Sequence, residues 1–325
     1  MNTIPNNDAL SEVIGVVLIL AIVVVVLSFY VNYVVPATGR ESEIAQMNRI
    51  SMQFTDYKFT LDNIRTSLLV NNLSPVMTST AFNLGTGGGN TQAGGLFVPM
   101  LKPVSSYATI SVNKTGDTFD IDSSSYHAYK SALVDFPINI TSLEYSSHNN
   151  YWIQQRYSYQ LGGVFLQQDD GITNRISPLI SISTAAENSN KTFVVNIAPV
   201  QVVGGGTLSG NGPTRVDTRE RILPKYNIST DPYISNTWVN LSVTCTDPAT
   251  AAMWADVFND IAVRNQIDPL AYKTGTLYNT SQKTTTAYLS ITGTNPNPAW
   301  KDVSLYVQRA EFYVALENIA SGVAG

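Results

Sequence analysis

From residue 13 to residue 36 the chain reads VIGVVLILAIVVVVLSFYVNYVVP, and no charge falls between Glu12 and Arg40. A helix of that length is roughly 36 Å long at about 1.5 Å per residue, enough to cross a hydrocarbon core of about 30 Å. A soluble strand is shorter, and a soluble core helix shows a polar face. The run therefore predicts a transmembrane helix over 13–36. Tyr30 and Tyr33 fall at its C-terminal end, where amphipathic rings favour the interface. The run exceeds the usual roughly 7–15 residues of a cleaved secretory signal, follows no basic stretch and lacks an A-x-A-like end. The helix is expected to stay in the mature protein, after a short N-terminal segment or leader at 1–12.

Beyond it the pattern turns amphipathic. Over 37–69, Ile44, Met47, Ile50, Phe54, Tyr57, Leu61, Ile64 and Leu68 recur mainly at steps of three and four. That is a heptad-like seam and predicts an amphipathic stalk helix. Glu41, Glu43, Arg49, Asp56, Lys58, Asp62 and Arg65 are assigned to its other faces. Pro36 and Gly39 are expected to kink or hinge the junction rather than break it. The seam fits either the chain's own β domain or a neighbouring subunit, and the spacing does not choose.

The remainder, 70–325, predicts an extracytoplasmic β-rich head. Short β-branched or aromatic runs lie between Gly, Asn, Asp and Pro. They fall at 107–112, 138–145, 151–161, 164–168, 179–183, 192–203, 238–245, 286–292, 303–307 and 311–316. This predicts an antiparallel, sandwich-like architecture. Gly162-Gly163 fits a tight turn or bulge, and 204–213 (GGGTLSGNGP) reads as a glycine-rich loop and a possible subdomain seam. One helix interrupts the strands. Asp247-Pro248 supplies an N-cap and a proline at the first helical position. Met253, Trp254, Val257, Phe258 and Ile261 then fall on one side. The expected class is thus α+β, mostly β.

Composition narrows the function. Of 325 residues only 13% are charged, against roughly 25% in a typical globular chain, and net charge is −5. No basic face for nucleic acid can be built from so few cations. The 17 Tyr, 11 Phe and 4 Trp exclude a highly charged disordered chain. A single cysteine, Cys245, excludes an internal disulfide and a Cys-cluster zinc site. Abundant hydroxyl and amide side chains suit a cell-surface β protein. Charge gives orientation little to work on, because Arg40 alone flanks the helix closely. Long domains translocate largely regardless of flanking charge, so the body is expected outside.

Candidate chemistry is sparse. His127 lies near Asp122, Ser123, Ser124 and Ser125, but no G-x-S-x-G supports a triad. Asp120/Asp122 and Asp169/Asp170 do not match EF-hand spacing. The glycine runs hold no phosphate-loop pattern. Cys245 has no basic neighbour and reads as a buried thiol. No enzyme activity, cofactor or metal is expected. Sequons occur at Asn113, Asn139, Asn190, Asn227, Asn240 and Asn279, and at Asn72, where Pro75 follows Ser74. They permit glycosylation, although a chain this rich in Asn, Ser and Thr produces several by chance.

The opening Ser11-Glu12-Val13-Ile14-Gly15-Val16-Val17-Leu18, followed by an unbroken apolar helix, resembles archaeal type IV pilin-like and archaellin-like proteins. Tyr159 to Gly171 (YQLGGVFLQQDDG) is similar to the head region of archaeal pilin-like membrane proteins. The resemblance implies helices packed in a filament core with heads facing out. It implies an assembly role for Glu12, pairing with a neighbour's N-terminal amine, and for Gly15 beside it. It also implies cleavage shortly before Glu12, although no Lys or Arg precedes the helix as such leaders usually have. The partners implied are the lipid bilayer and like subunits through the N-terminal helix. The alternative is an uncleaved, membrane-anchored adhesin whose head binds a ligand through aromatics such as Trp152, Tyr157 and Tyr159.

Overall fold

The computed structural model describes residues 8–71, 76–87, 102–124, 136–187, 190–221, 227–229, 235–293 and 303–318. It is α+β and mostly β: one long N-terminal helix, then mostly antiparallel sheets with one short inserted helix.

The helical rod joins α1 (Asp8–Phe29), a π-helical turn (Tyr30–Val34) and α2 (Val35–Asn71) without a break. Pro36 explains the wide turn. Its ring crowds the carbonyl four residues back, and it has no N–H to return. The backbone answers one residue earlier, where Val35 N–H bonds to Tyr30 O. A π turn of this kind passes the proline without breaking the helix.

The strands are β1 (Met77–Asn83), β2 (Tyr107–Ser123), β3 (Ile138–His148), β4 (Arg156–Gln160), β5 (Gly163–Gln168) and β6 (Gly171–Ile176). Next come β7 (Leu179–Glu187), β8 (Asn190–Ala198), β9 (Val200–Gly204), β10 (Gly206–Gly210), β11 (Pro213–Glu220), β12 (Asn227–Ser229) and β13 (Ser235–Asn236). After β14 (Trp238–Cys245) the inserted helix α3 (Pro248–Arg264) precedes β15 (Tyr272–Asn279), β16 (Thr284–Thr292), β17 (Val303–Gln308) and β18 (Ala310–Asn318).

The central sheet runs β15-β16-β14-β2-β3-β4-β5-β6, with β10 paired to the first part of β2. Side chains alternate across a strand. In β3, Ile138 and Ile140 enter one core while Leu143 and Tyr145 enter the other. In β5, Phe165 enters the first while Val164 and Leu166 enter the second. The central sheet is therefore covered on both faces. On one face lie α2 and a four-stranded sheet, β1-β11-β18-β9. On the other lie α3 and a five-stranded sheet, β12-β17-β8-β7 with β13 beside β17.

The seam of α2 packs on the chain's own body: Met47, Ile50, Phe54, Tyr57 and Leu61 are all buried there. Phe54 and Tyr57 meet Phe82 edge-on, and the Tyr57 hydroxyl shares a 3.0 Å hydrogen bond with Thr218 Oγ1. Burial of such side chains stabilises by about 1.5–3 kcal/mol each.

Run 192–203, expected as one strand, is two. β8 and β9 lie in different sheets, divided at Pro199, and β17 and β18 divide in the same way at Arg309. Both divided strands pair in parallel, β8 with β17 and β9 with β18, so two ribbons pass together from one face of the central sheet to the other. They cross where β3 outruns β4. There Gln201 Nε2 donates to Asn139 O at 2.7 Å, and Ala310 N donates to Pro199 O at 3.0 Å. The glycine-rich stretch 204–213 also differs from expectation, since it carries β10. The strands before and after it, β9 and β11, belong to one sheet. Gly162 does form a tight turn, with positive φ at Leu161 (51°) and Gly162 (82°). Two such residues between paired strands match a type I′ hairpin.

Candidate membrane and assembly interface

α1 stands clear of the body: from Glu12 on, none of its described side chains is buried. Its Val, Ile and Leu side chains are exposed on every side, from 46% at Val23 to 67% at Val25. A helix buried in a soluble core would show the opposite. This one is long and apolar enough to cross a membrane. Apolar area left in water costs roughly 25 cal/mol per Å², so a bare rod of this kind needs an apolar surrounding. Glu12 is exposed at its start. Gly15 lies three residues on, on the same side of the helix. A Cβ added at Gly15 would meet nothing within 4 Å, so folding of the chain itself places no demand for glycine there.

Just past the π turn a loop grips the start of α2. The chain between β3 and β4, residues 149–155, was expected to be strand from 151 onward and is instead this loop. Glu43 is 1% exposed, and its carboxylate accepts Asn150 N at 2.7 Å and Tyr151 N at 2.8 Å. Charged acceptors make the stronger class of hydrogen bond. The Tyr151 ring lies directly on Gly39, where an added Cβ would stand 2.4 Å from Tyr151 Cδ2. The Tyr151 hydroxyl in turn accepts Val104 N at 3.1 Å. Arg40 stacks on the Trp152 ring, 4.5 Å from its centre. The clamp fixes the direction in which α1 leaves the body.

Sequence reasoning missed this clamp. The spacing puts Glu43 off the apolar seam, yet it shares the buried face with Met47, Ile50 and Phe54. Lys58 is likewise buried, held by Asp62 at 2.5 Å. The usable signal was Gly39, four residues before Glu43 on the same helical side.

The other candidates scatter. Tyr157 and Tyr159 are core residues, and Trp152 belongs to the clamp. His148 stacks on Tyr107 at 4.4 Å. His127 and Ser125 lie outside the described residues, as does Asn72. Asp120 and Asp122 each accept the next backbone N–H, and burial pushes the Asp120 carboxyl up, helped by Asp122. Asp169 and Asp170 form an exposed turn. Among the described residues no group of three or more His, Cys, Asp or Glu is placed to hold a metal ion. Cys245 is buried, and burial pushes its thiol far up, with Asp117 and Asp247 acting the same way. A thiol so held is a poor nucleophile.

Of the sequons, Asn113, Asn139 and Asn279 are exposed. Asn240 is half-buried in β14, between Asp122 and Ser290 of the adjacent strands. Asn190 and Asn227 open β8 and β12, and their side chains lie outside the described residues. No protein-family model, curated protein or solved structure matches the chain.

Proposed function

We propose that the protein is a non-enzymatic cell-surface subunit of type IV pilin-like kind. In this reading α1 sits in the bilayer before assembly and among the helices of like subunits afterwards, with the β head outside. One observation carries it: a helix bare on all sides continues without a break into a helix built into the head. Such a joint transmits the position of α1 to the head, which suits a subunit that must repeat at fixed spacing. Glu12 and Gly15 are the assembly residues, through charge pairing and close helix approach. Exposed Asn113, Asn139 and Asn279 are the sequons best placed to carry glycans. Mechanical shearing of cells followed by fractionation tests the reading: a share of the chain is expected with sheared filaments, and its confinement to membranes would oppose assembly.

The second reading is an uncleaved, membrane-anchored adhesin. It is favoured by the uncharged span from Val13 to Gly39, which suits an anchor that stays in the bilayer. It shares the anchor and the outward head and differs in having no filament.

A further inference from the structure

A groove runs along the end of α2 remote from α1, against the β6–β7 connector (177–178) and the strand ends beside it. Two hollows share that connector as a wall. One, of about 420 Å³, is lined by Lys58, Asp62, Ser177, Arg264 and Asn265. The other, of about 300 Å³, is lined by Arg65, Asn196, Tyr306 and Gln308. Pro178, Leu179 and Ile180 form an apolar strip common to both. Volumes of this size fall at the lower end of small-molecule sites, about 300–1,000 Å³.

The charges are unequal. Lys58, Arg65 and Arg264 line the groove against one carboxylate, Asp62, in a protein whose net charge is −5. Asp62 is taken by Lys58. Arg264 rests on Ser177 Oγ and Asp260 O, both neutral acceptors. Arg65 is half-buried, and its Nε is enclosed without a hydrogen bond among the described residues. The Tyr159 hydroxyl, on a fully buried side chain, is also without one. Burial pulls the Arg65 guanidinium down, with Asp62 and then Tyr159 opposing. The planar fork of the guanidinium matches a carboxylate.

We propose that this groove binds an acidic sugar. Arg65 takes the carboxylate, the amides of Asn196 and Gln308 and the Tyr306 hydroxyl take ring hydroxyls, and the 178–180 strip receives the apolar face of the ring. Arg65 is the one cation lining the smaller hollow, which matches a monoanion. The inference goes beyond the assembly reading and does not depend on it, because the groove lies in the head.

The test is calorimetric titration of the full chain in detergent micelles with galacturonate, oligogalacturonate, galactose and inorganic phosphate. Saturable binding of galacturonate that weakens with salt, with galactose inert, is expected. Binding by the oligomer but not the monomer also supports the proposal and assigns the source as a polysaccharide. Arg65→Gln is expected to weaken binding by about tenfold or more, as loss of a charge-assisted hydrogen bond does. Should Arg65→Gln fail to fold by circular dichroism, Gln308→Ala at the exposed rim carries the same comparison with a smaller loss. Absence of saturable binding by both uronates at millimolar concentration would overturn the proposal. So would affinity unchanged in the variants, or equally tight binding of phosphate.

Discussion

Two glycines and one carboxylate separate what the fold needs from what a partner needs. Gly39 is required within the chain, because Tyr151 occupies the space of a side chain there. Gly39→Ala is expected to lower stability by about 1–3 kcal/mol, the usual cost of overpacking, read as a fall in the chemical denaturation midpoint in micelles. Gly15 has open space around it. Gly15→Leu is expected to leave that midpoint unchanged and to reduce the fraction recovered in sheared filaments. Glu43→Ala strands two backbone N–H groups, Asn150 and Tyr151, and is expected to cost about 2–3 kcal/mol in the same assay. If Glu43→Ala were neutral, the clamp would not hold the helix.

At the scale of elements, α3 offers the clearest pH signature. Asp247 accepts Ala249 N at 3.2 Å and Thr250 N at 3.0 Å, with the Thr250 hydroxyl at 2.7 Å. The Thr250 side-chain hydrogen bond holds its carboxyl below the ordinary value; burial opposes it, and the backbone N–H bonds of Thr250 and Ala249 add to the lowering. A lowered folded pKa stabilises above the unfolded value and loses that contribution as pH falls through the folded one. Asp247→Ala is therefore expected to cost about 1 kcal/mol at neutral pH. The difference from the parent chain should shrink below pH of about 4. A difference constant with pH would remove the charged cap.

This helix was legible because its signals are local: cap, proline and a buried face of Met253, Trp254, Val257, Phe258 and Ile261. The apolar run of α1, uncharged beyond Glu12, was legible for the same reason. β1, β6, β11 and β15 were not, because strands such as GITNRI and YKTGTLYN are polar and largely half-buried or exposed. The paired crossing at Pro199 and Arg309 was hidden because parallel partners lie about a hundred residues apart and leave no local pattern. Glu43 was hidden because a charge on a helix is assigned to water until its partners are known.

For the whole molecule, uneven charge now has a shape. It is absent from Val13 to Gly39, moderate on a helix built into the body, and low again in a head whose sheets pack in three layers. The helix over 13–36 is long and apolar enough to cross a membrane, and the clamp holds the start of α2 just beyond it. N-terminal mass spectrometry of the protein recovered from the sheared filament and membrane fractions tests the subunit reading most directly. The account predicts filament material whose N-terminus begins just before Glu12. An intact Met1, with all of the chain in the membrane fraction, would contradict it.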